Sequence, residues 1–152
     1  MSLKIRYKCR MLKKRVVDEF SSRQEFLSLL QVNPGLIILK LGASWCRPCK
    51  MIQPILDKHY ASSPPEVICC DINVDESADL YAFLKAKKMV NGIPVVLCYV
   101  KGNHTFVPDD GVTGADLKEL DLFFKRCGKY VKELRDNKEK GDNTEKGNNI
   151  AN

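Results

Sequence analysis

Cys46 and Cys49 are the residues of this chain whose type and spacing point most directly to chemistry. They lie in Trp45-Cys46-Arg47-Pro48-Cys49-Lys50. The segment before them, Leu36-Ile37-Ile38-Leu39-Lys40-Leu41, reads as a strand. After them, Met51, Ile52, Ile55 and Leu56 recur at helical spacing. Two cysteines with two residues between them, between a strand and a helix, form a redox arrangement. Cys46 falls at the helix N-terminus, where unpaired N–H groups and the helix dipole favour negative charge. A thiol held there ionises more readily. Cys49 lies one turn on, within reach of a mixed disulfide formed at Cys46.

The same spacing could be half of a zinc site, which needs about four ligands. The only imidazoles are His59 and His104, both read as surface residues, and there is no second C-x-x-C, so no metal is expected. The seven cysteines do not read as a disulfide framework. Cys69, Cys70 and Cys98 lie in strand-like runs and Cys127 on an apolar helix face, where free cysteine acts as a small hydrophobe. That usage fits a reducing compartment, and a cytoplasmic location is expected. No apolar run reaches 18 residues, so no membrane span is expected, and the first residues lack the apolar stretch of a secretory signal.

At 152 residues the chain is expected to be one domain with two tails, and a monomer. Of its 25 basic residues, seven lie within residues 1–15, where there is no acid. The remainder carries 18 basic against 19 acidic residues, so the arm holds the charge. Positions 3–11 alternate apolar and basic, as in an extra edge strand or a solvated arm. Residues 4–15 also suit nucleic acid or an acidic partner, or a mitochondrial targeting segment.

The elements that must position Cys46 and Cys49 read in order along the chain. A short strand covers Arg15 to Phe20. A helix follows a capping-box signature at Ser22 and Glu25. After the central strand and the Cys46 helix, a strand spans Glu66 to Val74 and a helix Asp75 to Lys88. The apolar run from Pro94 to Val100 should turn at Lys101-Gly102-Asn103 into a strand over His104 to Val107, followed by a loop at 109–111. A last helix starts after Thr113, and from Arg135 the polar sequence reads as disordered. This order gives an α/β domain, a central mixed sheet flanked by helices on both faces, spanning 16–134 between an arm (1–15) and a tail (135–152).

Over Val16 to Leu134 the chain resembles thioredoxin. The resemblance is carried by Trp45-Cys46-Arg47-Pro48-Cys49-Lys50, by Pro54 five residues after the second cysteine, and by Gly92-Ile93-Pro94 far downstream. It implies the thioredoxin fold and reduction of protein disulfides, with no cofactor beyond a redox-active Cys46–Cys49 disulfide. Cys46 would attack and Cys49 resolve. Trp45, Pro48, Ile93 and a cis Pro94 would form the substrate-docking surface. The implied partners are disulfide-containing proteins and a thioredoxin-reductase-like or other dithiol donor. The alternatives are a disulfide oxidase or isomerase, or a thioredoxin-fold scaffold that docks its partner through the basic arm.

Two departures bear on the chemistry. The family commonly has a buried aspartate six residues before the first cysteine and a lysine on the neighbouring strand. Here those positions are Lys40 and Asp71, so the charges are exchanged. A buried lysine is costly alone and relieved by pairing. The expectation is a Lys40–Asp71 pair beneath Cys49, able to stabilise its thiolate or pass on its proton. Arg47 replaces the usual glycine, and a cation there favours the Cys46 thiolate.

Overall fold

In the computed structural model, residues 6–8 and 15–148 are described, with side chains from 15 to 142. Six strands form one sheet in the order β1-β2-β4-β3-β5-β6. The strands are β1 (Arg6–Lys8), β2 (Val16–Glu19), β3 (Leu36–Gly42), β4 (Val67–Asn73), β5 (Val95–Val100) and β6 (Asp110–Thr113). The helices are α1 (Arg23–Gln31), α2 (Arg47–Ser62), α3 (Ala78–Ala86) and α4 (Leu117–Asn148). Strands β2, β4 and β3 run parallel, while β1, β5 and β6 pair antiparallel, so the sheet is mixed as expected.

Central β3 is buried along its whole length, which is why it reads as a near-continuous apolar run. Its two faces feed two cores. Ile37, Leu39 and Leu41 pack with Phe26, Leu30, Leu80 and Leu84 of α1 and α3. Leu36 and Ile38 pack with Ile52, Leu56, Leu120 and Phe123 of α2 and α4. Lys40 belongs by alternation to the second face, so one charged residue interrupts that stripe.

Several boundaries depart from the sequence reading. The strand returning from β5 is Asp110–Thr113, not His104–Val107. Side chains occupy the backbone groups that a ladder would use. Asp109 accepts from the Val100 N–H, Asn103 donates to the Val107 carbonyl and Tyr99 donates to that of Phe106. Thr113 therefore lies in β6, and Asp116 caps α4 by accepting from the Lys118 and Glu119 N–H groups. At α1, Ser22 makes no side-chain cap. Glu25 accepts from Ser21, and Asp79 of α3 takes both the Arg23 N–H and its guanidinium. Helix α3 starts at Ala78 rather than Asp75 because Asn73 accepts the Asp75 N–H on its side chain and the Glu76 and Ser77 N–H groups on its carbonyl, which holds a turn there.

The disordered tail expected from Arg135 is corrected over residues 135–148, which continue α4. Once the packed half has nucleated the helix, each further turn is inexpensive. Opposite charges four apart at Arg135/Glu139, Asp136/Lys140 and Lys138/Asp142 support it, and Arg135 pairs with Glu66. Of the basic arm, Arg6–Lys8 forms an edge strand on β2. The other residues of 1–14, Cys9 among them, lie outside the described residues, as do 149–152.

Asp110 ties α4 to the edge of the sheet. It accepts from Arg126 Nε at 2.7 Å and from the Tyr130 hydroxyl at 2.7 Å. The Arg126 guanidinium, then Tyr130 and the Gly111 N–H, hold its carboxyl below its ordinary 3.8. A depressed carboxyl stabilises the fold above its unfolded value and loses that contribution as pH falls through its folded one. Asp110→Asn should cost about 1–2 kcal/mol at pH 7 in urea denaturation. The gap to wild type should close below pH 4.

Candidate active site

The Cys46 side chain caps α2: its Sγ accepts from the Cys49 N–H at 3.3 Å. Pro48 opens the helix, where a missing N–H costs nothing. Cys46 and Cys49 are joined as a disulfide, with Cα atoms 5.3 Å apart. They are 5% and 2% exposed, so both residues are buried, Cys46 slightly less than Cys49. After reduction, a Cys46 thiolate would face the free N–H groups of the first turn of α2. Arg47 and Lys50 are exposed on that same turn.

Lys40 and Asp71 meet as the sequence leads one to expect. They face each other in the β3–β4 register, and Lys40 Nζ lies 3.0 Å from Asp71 Oδ1. They are only 6% and 9% exposed, so the pair is buried. Gln53 of α2 closes the triangle. Its Oε1 accepts from Lys40 Nζ at 3.0 Å, and its Nε2 donates to Asp71 Oδ2 at 2.8 Å. Nε2 also donates to Asp57 at 2.8 Å.

Gly42 explains how this network reaches the sulfurs. A Cβ there would lie 2.8 Å from Lys40 Nζ and 3.2 Å from Cys49 Sγ. The ammonium and the sulfur thus approach one backbone position that only glycine leaves open. Lys40, Asp71, Gln53 and Cys49 line one cavity of ≈ 500 Å³.

Trp45 is 68% exposed, and its indole N–H donates to Asp75 Oδ2 at 2.8 Å. With Ile93, Tyr81 and Lys85 it lines a groove of ≈ 570 Å³. The Ile93–Pro94 peptide is cis. The sequence reading thus brings Trp45 and Ile93 into one groove, and Lys40, Asp71 and Cys49 into one cavity.

Sequence reasoning gave no role to Gln53, Gly42 or Asp75. Gln53 was accessible: it stands four residues after Cys49, on the same helix face. Asp75 and Gly42 carry no comparable signal.

The other described cysteines, Cys69, Cys70, Cys98 and Cys127, are buried and in no disulfide. Burial pushes the Cys70 thiol well up, and Cys98 is raised first by its contact with Cys127 and then by burial. Such thiols are inert beside a helix-capping cysteine. Among the described residues no cluster of three or more His, Cys, Asp or Glu side chains could hold a metal. His104 is exposed, whereas His59 is partly covered, stacked on Phe124 with centroids 4.2 Å apart.

Comparison with known proteins places this geometry. The sequence model described as Thioredoxin matches residues 17–126. A thioredoxin of Pseudomonas aeruginosa is 35% identical over 69 residues, which cover 45% of this chain and 60% of that protein. Thioredoxin-2 of Saccharomyces cerevisiae is 29% identical over 104 residues, covering 68% of this chain and 94% of that one. The chain thus spans less than two thirds of the first relative and nearly all of the second. A crystal structure of a thioredoxin from Nicotiana alata superposes with a TM-score of 0.60 at 25% identity, covering 82% of this chain and 99% of that one.

Breaking one side of a buried ion pair strands the other charge. Lys40→Met should therefore destabilise the protein by about 3–5 kcal/mol. Lys40→Met with Asp71→Leu should recover most of that, and urea denaturation of the single and double variants measures the coupling. Additive losses would show that the two side chains do not interact.

Proposed function

The chain belongs to the thioredoxin family, and from that premise we propose that it is a thiol–disulfide oxidoreductase that reduces protein disulfides through Cys46 and Cys49. The observation that carries this reading is the disulfide between a helix-capping Cys46 and a Cys49 one turn on. The Cys46 thiolate attacks a substrate disulfide and forms a mixed disulfide. The Cys49 thiolate then attacks the Cys46 sulfur, closing the intramolecular disulfide and releasing the reduced substrate. A thioredoxin-reductase-like enzyme, or another dithiol, returns two electrons to the pair.

The groove under Trp45 is the docking surface in this proposal. Trp45, held by Asp75, forms one wall and Ile93 another, and Pro48 and Pro94 are assigned to docking on the resemblance alone. Arg47 and Lys40 set the redox balance, since both place positive charge near a sulfur that is anionic only in the reduced state. Asp71 and Gln53 hold Lys40 in place. Four buried cysteines outside any disulfide suit a reducing, cytoplasmic setting. Among the described residues no helix is long and apolar enough to cross a membrane.

A scaffold with incidental cysteines is the less economical reading, because Cys46 and Cys49 are bonded to each other at a helix start. Binding of nucleic acid or an acidic partner through residues 4–15 would be an addition to exchange chemistry. An oxidase or isomerase would use the same residues in the other direction, a choice set by potential and partners.

Dithiol-driven insulin reduction tests the proposal. The wild type should turn over and Cys46→Ser should be inactive, while Cys49→Ser should accumulate a mixed disulfide at Cys46. No turnover by the wild type would refute it. Arg47→Gly should lower the Cys46–Cys49 potential by about 10–20 mV in a glutathione buffer, the effect of one solvent-exposed charge.

A further inference from the structure

Lys85 is a cation that the fold leaves unpaired and the proposed exchange does not use. It stands on α3, on the helix face that also carries Ala78, Tyr81 and Ala82. These four residues line the ≈ 570 Å³ groove together with Trp45 and Ile93. Lys85 is exposed, and among the described residues no carboxylate lies within ion-pair distance of its Nζ. The ammonium rests over the Tyr81 ring, 5.3 Å from its centroid. The ring attracts the cation and orients it but does not neutralise its charge.

The acids near this groove are engaged elsewhere. Asp75 Oδ2 accepts the Trp45 indole N–H at 2.8 Å, and Asp79 pairs with Arg23 at 2.7 Å. Glu76 lines the other cavity with Lys50. Arg47, next to Cys46, is exposed and also meets no carboxylate among the described residues. The groove is therefore polarised along its length. Its Trp45 end holds an acid already bonded to the indole, and its other end holds an ammonium with no anion. Ala78, just after Asp75, marks the Trp45 end, and Lys85 lies two turns further along α3. At 1.5 Å per residue that is roughly 10 Å. An extended chain covers this distance in about three residues.

Resting on the exchange reaction proposed above, we infer that Lys85 selects disulfide substrates that carry a carboxylate about three residues from the cysteine under attack. The substrate sulfur meets Cys46 beside Trp45. The flanking chain runs extended along the groove, with apolar contacts to Trp45, Tyr81 and Ile93, and its aspartate or glutamate reaches the Lys85 ammonium. A lysine or arginine at the same substrate position meets like charge, so selection comes from repulsion as well as attraction. Arg47 adds a general attraction for acidic substrates at the Cys46 end, whereas Lys85 fixes where along the chain the acid must stand.

The test uses symmetric peptide disulfides, two copies of one short peptide joined through its single cysteine. Glu, Gln or Lys is placed about three residues before that cysteine in one set and after it in another. Reduced full-length protein is mixed with excess peptide dimer, quenched in acid, and the released monomer quantified by mass spectrometry. In the set whose chain runs down the groove, the wild type should reduce the Glu peptide about threefold faster than the Gln peptide and the Lys peptide about threefold slower, the scale of one exposed charge pair. The ratios should shrink toward one in about 0.5 M salt. Lys85→Gln should bring them near one at low salt, and Lys85→Glu should invert them. Each ratio compares peptides on one variant, so a general loss of activity or stability cancels. Equal rates for all peptides on the wild type, or a Glu preference kept by Lys85→Gln or Lys85→Glu, would overturn the inference. A wild type that reduces none of the peptides would instead refute the exchange reaction on which it rests.

Discussion

A lysine and an aspartate facing each other on adjacent buried strands set the terms for the active end of this protein. Removing both charges from water costs several kcal/mol each, and Coulomb attraction repays this only with good geometry and further hydrogen bonds. The structure supplies both. The parallel register brings Lys40 level with Asp71, and Gln53 bonds to each of them from α2. Helix α2 is therefore fixed over the ends of the strands by polar contacts as well as by Ile52 and Leu56 beneath it. The N-terminus of that same helix carries the disulfide, so the strand register and the position of Cys46 are not independent.

The surroundings of Cys49 follow from this arrangement. Gly42 admits the Lys40 ammonium and the Cys49 sulfur to the same point, and a side chain there would have to displace one of them. Where the family commonly has a buried acid near the resolving cysteine, this chain has a cation. A cation favours the thiolate but cannot accept its proton.

Much of this was legible in the sequence, for reasons tied to particular residues. The apolar run before Cys46 and the 3.6-residue pattern after it fix a strand–helix junction, and junctions of that type place their cysteines without tertiary information. Lys40 and Asp71 were legible as a pair because the resemblance puts an acid and a lysine at those two positions, where this chain carries the charges exchanged. What escaped depended on side-chain hydrogen bonds that leave no periodic trace. Asn103 and Asp109 satisfy the chain after β5 and so delay β6 to Asp110. The helical extension past Arg135 depends on nucleation by the packed half of α4, which composition alone does not report.

The most direct test of this account is the reduction potential of the Cys46–Cys49 pair in the wild type and in the double variant Lys40→Asp, Asp71→Lys, which returns the charges to the common family arrangement. If Lys40 acts on Cys49 as its position indicates, reversing the buried charge should lower the potential, on the order of 30 mV for each 1.4 kcal/mol of thiolate stabilisation lost. Equal potentials in two equally folded proteins, or a higher one in the double variant, would contradict it.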